Sequence, residues 1–313
     1  MATTTTAPSR AGAAKAPARG TDPMRRQQAR AAWILAAPFL VLFLVFTAGP
    51  VLASLGMSFT DIKRTDIRTP FAVSFVGIDN YTQLLGDPLF RKVMVNTGLY
   101  VVLGVPLTMA LALAVAVMLN RIERLKGLFR VGYYLPVVTS IVAVSVVWKF
   151  LYRPQGGLIN EVLGFVGLPQ PEWLDNPTLA LPALVVMAAW RNLGTLMIIF
   201  LAGLQTIPDE VKEAAQVDGA TGWGVFRRIT LPMLKPTLLF GAVITGIGYL
   251  QFFEEAFVMT EGGPLDATRS VTYFAYDQFG FGNYGVATAA SYLLFLAVVV
   301  MTFVQFKIFG EKD

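Results

Sequence analysis

The chain has 313 residues, 55% hydrophobic and only 14% charged, with a mean hydropathy of +0.59 and a formal net charge of +5. Soluble domains carry about 25% charged residues, so the bilayer is the expected solvent for this chain. The absence of Cys and His excludes disulfides, thiol catalysis, His-based metal sites and a Ser-His-Asp triad.

Residues 1–30 are rich in Ala, Thr, Pro and Arg and show no apolar periodicity. They have little surface to bury against the entropy of ordering, so a disordered cytoplasmic tail is expected. The apolar run that follows is longer than the ~7–15 residues of a signal-peptide core and reads as a retained span. Residues 31–310 then form the expected membrane domain. Six apolar runs, near 31–57, 93–119, 132–152, 179–204, 237–259 and 286–308, can each supply the about 20 residues that a crossing requires. The predicted fold is therefore all-α, with six transmembrane helices. Pro38, Pro50, Pro106, Pro136 and Pro182 fall in or beside these runs, where neighbouring helices can satisfy the freed carbonyls.

Charge orients the bundle. Six Lys and Arg lie in the tail, four in 120–131, four in 205–236 and two at the C-terminal end, against five, one and one in the other loops. The excess of positive charge marks the cytoplasmic side, so both termini and the 205–236 loop are expected there. The basic excess reads as a topology signal, and no nucleic-acid partner is expected. Loop 58–92 runs against the bias, with Lys63, Arg64, Arg68, Arg91 and Lys92 on the expected outer side. Its turn residues, and the Gly and Pro of loops 153–178 and 260–285, suit short structures on the membrane surface.

The 205–236 loop is a polar insert between two apolar runs. Pro208 suits a first helical position, and Asp209 and Glu210 suit the positive end of the helix dipole. Val211 to Val217 are good helix formers, with Ala214 and Ala215 leaving a narrow side for close approach. Gly219 ends that helix in a turn, Thr221 caps a second, and Pro232 stops it. The expected shape is a helix–turn–helix knob at the cytoplasmic face. The plainer reading is an amphipathic connector that only packs under the bundle.

The order Glu213-Ala214-Ala215, three residues including Asp218, Gly219, nine residues, Ile229, one residue, Leu231-Pro232 resembles the cytoplasmic signature loop of permease subunits of bacterial ABC importers. The likeness continues in Phe75 to Tyr81, Asp87-Pro88, Asn96-Thr97, Leu201 to Gln205 with Ile207-Pro208, Phe257 to Thr260 with Gly262-Gly263-Pro264, and Gly285 to Phe295. Over roughly 33–310 the chain is similar to permeases of binding-protein-dependent sugar importers, of the maltose and glycerol-3-phosphate uptake type. It departs from the maltose permease of enteric bacteria, which has extra N-terminal spans and a large outer domain. A grip on a binding protein is thus expected to use short loops.

The resemblance implies a multi-pass protein of the bacterial inner (cytoplasmic) membrane that forms half of a translocation path. Its implied partners are a second related permease in a heterodimer, two ATPase subunits on the signature loops, and an extracytoplasmic sugar-binding protein. The coupling residues it implies are Glu213, Ala214, Ala215, Asp218, Gly219, Ile229, Leu231 and Pro232. No G-x-x-x-x-G-K-[ST] loop occurs in the chain, so ATP and Mg are expected on the partner ATPases and no cofactor or metal on this chain. No catalytic residue is expected.

Polar groups within spans are path candidates, because they must face protein or water. Trp190, Arg191 and Asn192 interrupt the fourth run; Gln251, Glu254 and Glu255 interrupt the fifth beside Tyr249, Phe252 and Phe253. Sugars suit this mixture, with aromatics under the ring and amides and carboxylates on the hydroxyls. An ion pair of Arg191 with Glu254 or Glu255, serving only helix packing, is the competing reading. An ion-coupled secondary transporter is the alternative function, though no inverted repeat is evident. A membrane-bound enzyme is a more distant one.

Overall fold

The computed structural model describes residues 23–69, 73–122 and 124–309. Most of the expected tail, residues 1–22, lies outside the described residues. The chain is already helical from Pro23, so the expected tail boundary at residue 30 moves toward the N-terminus.

The chain divides into two units, Met1–Ala53 and Ser54–Asp313. The first unit is helical where described. Helix α1 (Pro23–Phe43) passes through a wide π turn at Leu44–Ala48 into α2 (Gly49–Ser58), which runs across the unit boundary. Large apolar side chains of this unit, including Trp33, Leu35 and Phe46, are exposed. That composition suits contact with lipid.

The second unit holds the remaining helices. Its surface segment contains a 3₁₀ turn at Arg64–Arg68 and α3 (Asp79–Gly86). Helix α4 (Pro88–Arg121) starts where local chemistry dictates: the Asp87 carboxylate accepts from the Leu89 amide, and Pro88 occupies the first turn. At 34 residues it is about 51 Å long. Next come α5 (Lys126–Val138) and α6 (Ile141–Leu151), bent by 96° at Thr139–Ser140. The third expected run, 132–152, is thus two helices rather than one rod.

Helix α7 (Leu158–Phe165) lies in the next loop. Asn160 folds that loop, donating to the carbonyls of Pro154 and Pro171 and accepting from the Trp173 indole at 2.8 Å. Helix α8 (Ala180–Gln205) is continuous. Trp190, Arg191 and Asn192 therefore do not interrupt the fourth run; they lie on a regular helix. Their backbone is satisfied within the helix, and only their side chains need polar surroundings.

The polar insert forms α9 (Asp209–Val217), α10 (Gly222–Val225), a π turn at Phe226–Thr230 and α11 (Leu231–Met233). Pro208 precedes α9 as its cap residue rather than sitting within it. Pro232 does not stop the second helix either. It sits at the start of α11, where its missing N–H costs nothing, and the chain bends by 66° at Leu234 into α12 (Lys235–Leu250).

With 16 residues, α12 is about 24 Å long, short of the ~30 Å hydrocarbon core. Three non-helical residues, Gln251–Phe253, then lead to α13 (Glu254–Met259). The fifth expected run, 237–259, is thus broken near its polar residues. Helix α14 (Val271–Phe281) follows, capped by Ser270, and α15 (Tyr284–Phe309) completes the unit. Among the described residues four helices are long and apolar enough to cross a bilayer, or six if each bent pair is one span.

Helices α4 and α8 form the centre of the packing. Ala112 and Ala116 of α4, both fully buried, allow close approach of α8, with Leu196, Met197, Phe200 and Leu204 filling the space beside them. Lipid tails are as apolar as Leu, so fit rather than expulsion of water drives this association. Gly194 shows how tight the fit becomes: a Cβ there would lie 2.1 Å from the Tyr133 carbonyl oxygen of α5. A second core joins Tyr100, Leu184, Met187, Tyr249, Phe252 and Met259, and thereby wraps the break between α12 and α13.

Candidate functional site

The break sits beside a cavity of about 340 Å³. It is lined by Arg191, Asn192 and Thr195 of α8, Thr245, Gly248 and Tyr249 of α12, and Gln251, Phe252, Glu254 and Glu255 at the break. Seven of the nine residues singled out in the fourth and fifth runs therefore converge. Non-helical backbone at membrane depth is tolerated where protein buries it or where it lines a cavity, and both conditions hold here.

The polar groups are individually positioned. The Tyr249 hydroxyl lies 2.7 Å from Thr108 Oγ1, which itself donates to the Gly104 carbonyl at 2.7 Å. Thr108 has one hydroxyl proton, so Tyr249 is the donor in their bond. Glu255 is buried and accepts from the Tyr100 hydroxyl at 2.5 Å. The Phe252 carbonyl, freed by the break, accepts from Ser270 Oγ at 2.7 Å. The Tyr100 ring stacks on Phe252 with centroids 3.9 Å apart. Gln251 and Glu254 are exposed on the cavity side.

Arg191 makes no ion pair with Glu254 or Glu255 among the described residues. The Asn192 side chain accepts from it at a long 3.4 Å, and its Nε is buried without a partner. The packing ion pair entertained from the sequence is thus not formed in this structure.

Two path candidates lie elsewhere. Trp190 points away from the cavity and packs on Trp148, with centroids 5.5 Å apart, where it lines a separate apolar hollow. Phe253 joins an aromatic cluster with Phe257, Tyr273 and Tyr276. Adjacent positions on a helix point about 100° apart, so Trp190 cannot share the direction of its neighbours. Lys149, near the end of α6, reaches the Val258 carbonyl at 3.4 Å.

Tyr100, Thr108, Thr195 and Ser270 are absent from the sequence-derived set. Tyr100 and Thr108 carried a usable signal, as polar groups within an apolar run about 12 Å apart along one helix. Nothing local marks Ser270, because its partner is 18 residues away across the break.

Beyond the C-terminal end of α8 the knob is exposed. Gly219 adopts φ +84°, its amide donates to the Gln216 carbonyl, and the Ala220 amide donates to Ala215. This pair of bonds is the Schellman arrangement, which closes a helix end with glycine in the left-handed region. Thr221 caps α10 by accepting from the Gly224 amide at 3.2 Å. Glu213, Ala214, Asp218 and Gly219 are exposed, while Ala215 is half-buried. Val217 is 87% exposed and Trp223 69%, the latter with one ring face stacked on Phe226 at 5.4 Å between centroids. Ile229 and Leu231 are half-buried, and Leu231 packs on the core around Leu204 and Leu234. These two residues root the knob, whereas Glu213 to Gly219 form its tip. Pro232 is exposed.

Residues 104–307 match the family described as Binding-protein-dependent transport system inner membrane component. The lactose transport system permease protein LacF of Rhizobium radiobacter is 36% identical over 90% of this chain and 94% of its own length. The trehalose/maltose transport system permease protein MalF of Thermococcus litoralis is 32% identical over 92% and 96%. A solved bacterial alginate ABC transporter, in complex with an alginate pentasaccharide-bound periplasmic protein, contains a chain that superposes with a TM-score of 0.73 at 25% identity. The match covers 93% of this chain and 98% of that one. These likenesses support the importer reading and not the ion-coupled alternative. The chain belongs to the binding-protein-dependent transport system inner membrane components, the permease subunits of ABC importers.

Proposed function

We propose that the chain is one of two permease subunits of an ATP-driven carbohydrate importer. In this reading the cavity beside the α12–α13 break is its share of the path, and the knob is its contact with an ATPase. The observation that carries it is the connection through α8. Arg191 and Asn192, near the middle of this helix, line the cavity, and its C-terminal end leads within a few residues into α9. Asn192 lies about 20 Å along the helix from Gln205, so one rigid element reaches both sites.

The lining suits a polyhydroxylated ligand. Asn192, Gln251, Thr195 and Thr245 offer donors and acceptors, Arg191 offers unpaired N–H groups, and Tyr249 and Phe252 border them with ring faces. The named relatives and the solved neighbour handle lactose, trehalose/maltose and alginate. ATP and Mg belong to the partner ATPases, because the chain has no phosphate-binding loop. The partners also include a second, different permease and an extracytoplasmic sugar-binding protein. The knob and both termini face the cytoplasm, in keeping with the distribution of Lys and Arg. Closure of the ATPases moves the knob, and α8 carries that motion to the cavity.

The test is uptake in vesicles holding the complete complex, supplied with its binding protein and candidate oligosaccharides. Asn192→Ala and Gln251→Ala should each lower uptake several-fold or shift sugar preference, as the loss of about 1 kcal/mol per hydrogen bond implies. Assembly should be retained. Parent-like uptake and preference in both variants would place the path elsewhere.

A further inference from the structure

Arg191 and Glu255 line the same cavity and do not pair. Ionised groups of this kind attract more strongly as water is excluded between them, so the partners that orient each one decide whether they meet. The Glu255 carboxylate is turned toward α4, where it accepts from the Tyr100 hydroxyl at 2.5 Å. Tyr100 is fully buried and outside the cavity wall, and its ring is fixed by stacking on Phe252 and by Tyr249 at 5.1 Å. Ser270 and Thr108 fasten the two sides of the break from other directions. The carboxylate is therefore held from a rigid frame.

We propose that Tyr100 is a positioning residue. Its hydroxyl restrains Glu255, and this restraint keeps the cavity open and leaves the Arg191 guanidinium free for a ligand. The last clause rests on the reading of the cavity as part of the path. Without the hydroxyl, Glu255 loses the side-chain bond that turns it toward α4, and Arg191 is the only cation in the cavity lining. The resulting pair would span the cavity and narrow it. Tyr100→Phe removes one oxygen and keeps the ring, so the effect should come from the released carboxylate and not from lost packing.

The chain has no cysteine, which permits a direct measure of cavity access. Thr195→Cys places a thiol of similar size in the lining, and the neutral probe N-ethylmaleimide reports its accessibility in the assembled complex. Tyr100→Phe should slow labelling of this thiol about fivefold, as a newly formed buried ion pair would resist opening. Adding Glu255→Gln, or separately Arg191→Gln, should return the rate to within about twofold of the Thr195→Cys parent, because either change abolishes the pair. Should Tyr100→Phe fail to assemble, Glu255→Asp carries the same expectation, since it shortens the carboxylate away from Tyr100 while keeping its charge. Unchanged labelling, or slowing that neither second substitution relieves, would overturn the proposal. Labelling is read without transport, so failure here is distinct from parent-like uptake in Asn192→Ala and Gln251→Ala, which would remove the path reading instead.

Discussion

The cavity meets the middle of α8, the knob follows its C-terminal end, and the two are built on opposite terms. The knob is local. Its cap bonds join residues no more than five apart, as in the Ala220 amide to the Ala215 carbonyl. The cavity is assembled from afar. Tyr100 meets Glu255 across 155 positions, and Thr108 meets Tyr249 across 141. One region holds its shape through short-range backbone geometry; the other depends on helices meeting correctly. Substitutions in the knob should therefore break function while sparing the bundle, and substitutions around the break should weaken the bundle while sparing the knob.

Gly219→Val should produce the largest effect of the first kind. No atom lies within 4 Å of the position of an added Cβ, so the obstacle is backbone conformation at φ +84° and not collision. Left-handed geometry costs an L-residue roughly 1–2 kcal/mol, and β-branching adds to this. Binding-protein-stimulated ATP hydrolysis in reconstituted vesicles should fall about tenfold or more, in line with about 1.4 kcal/mol per decade. The amount of inserted protein should not change. Full stimulation would show that the knob is not the coupling contact and would erase the contrast.

Ser270→Ala tests the other side of the comparison. It deprives the Phe252 carbonyl of its donor and the Tyr273 amide of its cap. An unsatisfied buried group costs about 1–3 kcal/mol. The detergent-solubilised complex should melt several degrees lower, while association with the ATPase remains as in the parent. A parent-like melting temperature would mean that the break is not held by this bond.

Glu213→Ala should be the mildest. An exposed charged contact is worth up to about 1 kcal/mol, so ATPase affinity should drop several-fold at most. The drop should shrink as salt is raised. A loss as deep as that of Gly219→Val would place Glu213 in a buried contact rather than at an exposed tip.

The same contrast explains what was legible in the sequence. The polar insert, the Gly219 turn and the Thr221 cap could be read because each rests on neighbours in the chain. The apolar runs gave the helical class and, for the fourth and sixth, ranges close to α8 and α15. The bend between α5 and α6 was not legible, because the apolar run continues through Thr139 and Ser140 without a residue that demands a break. At the cavity, residue types pointed to Arg191, Asn192, Gln251 and Glu254, but direction did not follow from type. Trp190 and Phe253 turned elsewhere, and the partners of Glu255 and Phe252 arrive from distant helices.

The π turn at Phe226–Thr230 has a consequence for how the knob is aimed. A π turn carries one residue more than the α turn it replaces, and it lies between the exposed tip and the rooted end of the knob. Each residue in an α-helix advances the phase by about 100° and the axis by about 1.5 Å. The extra residue therefore works as an angular offset between tip and root. Its removal would turn Trp223 and Phe226 relative to Leu231, while α9 stays tethered to α8 from its other side. The orientation of the knob is thus set by a count of residues as much as by their identity.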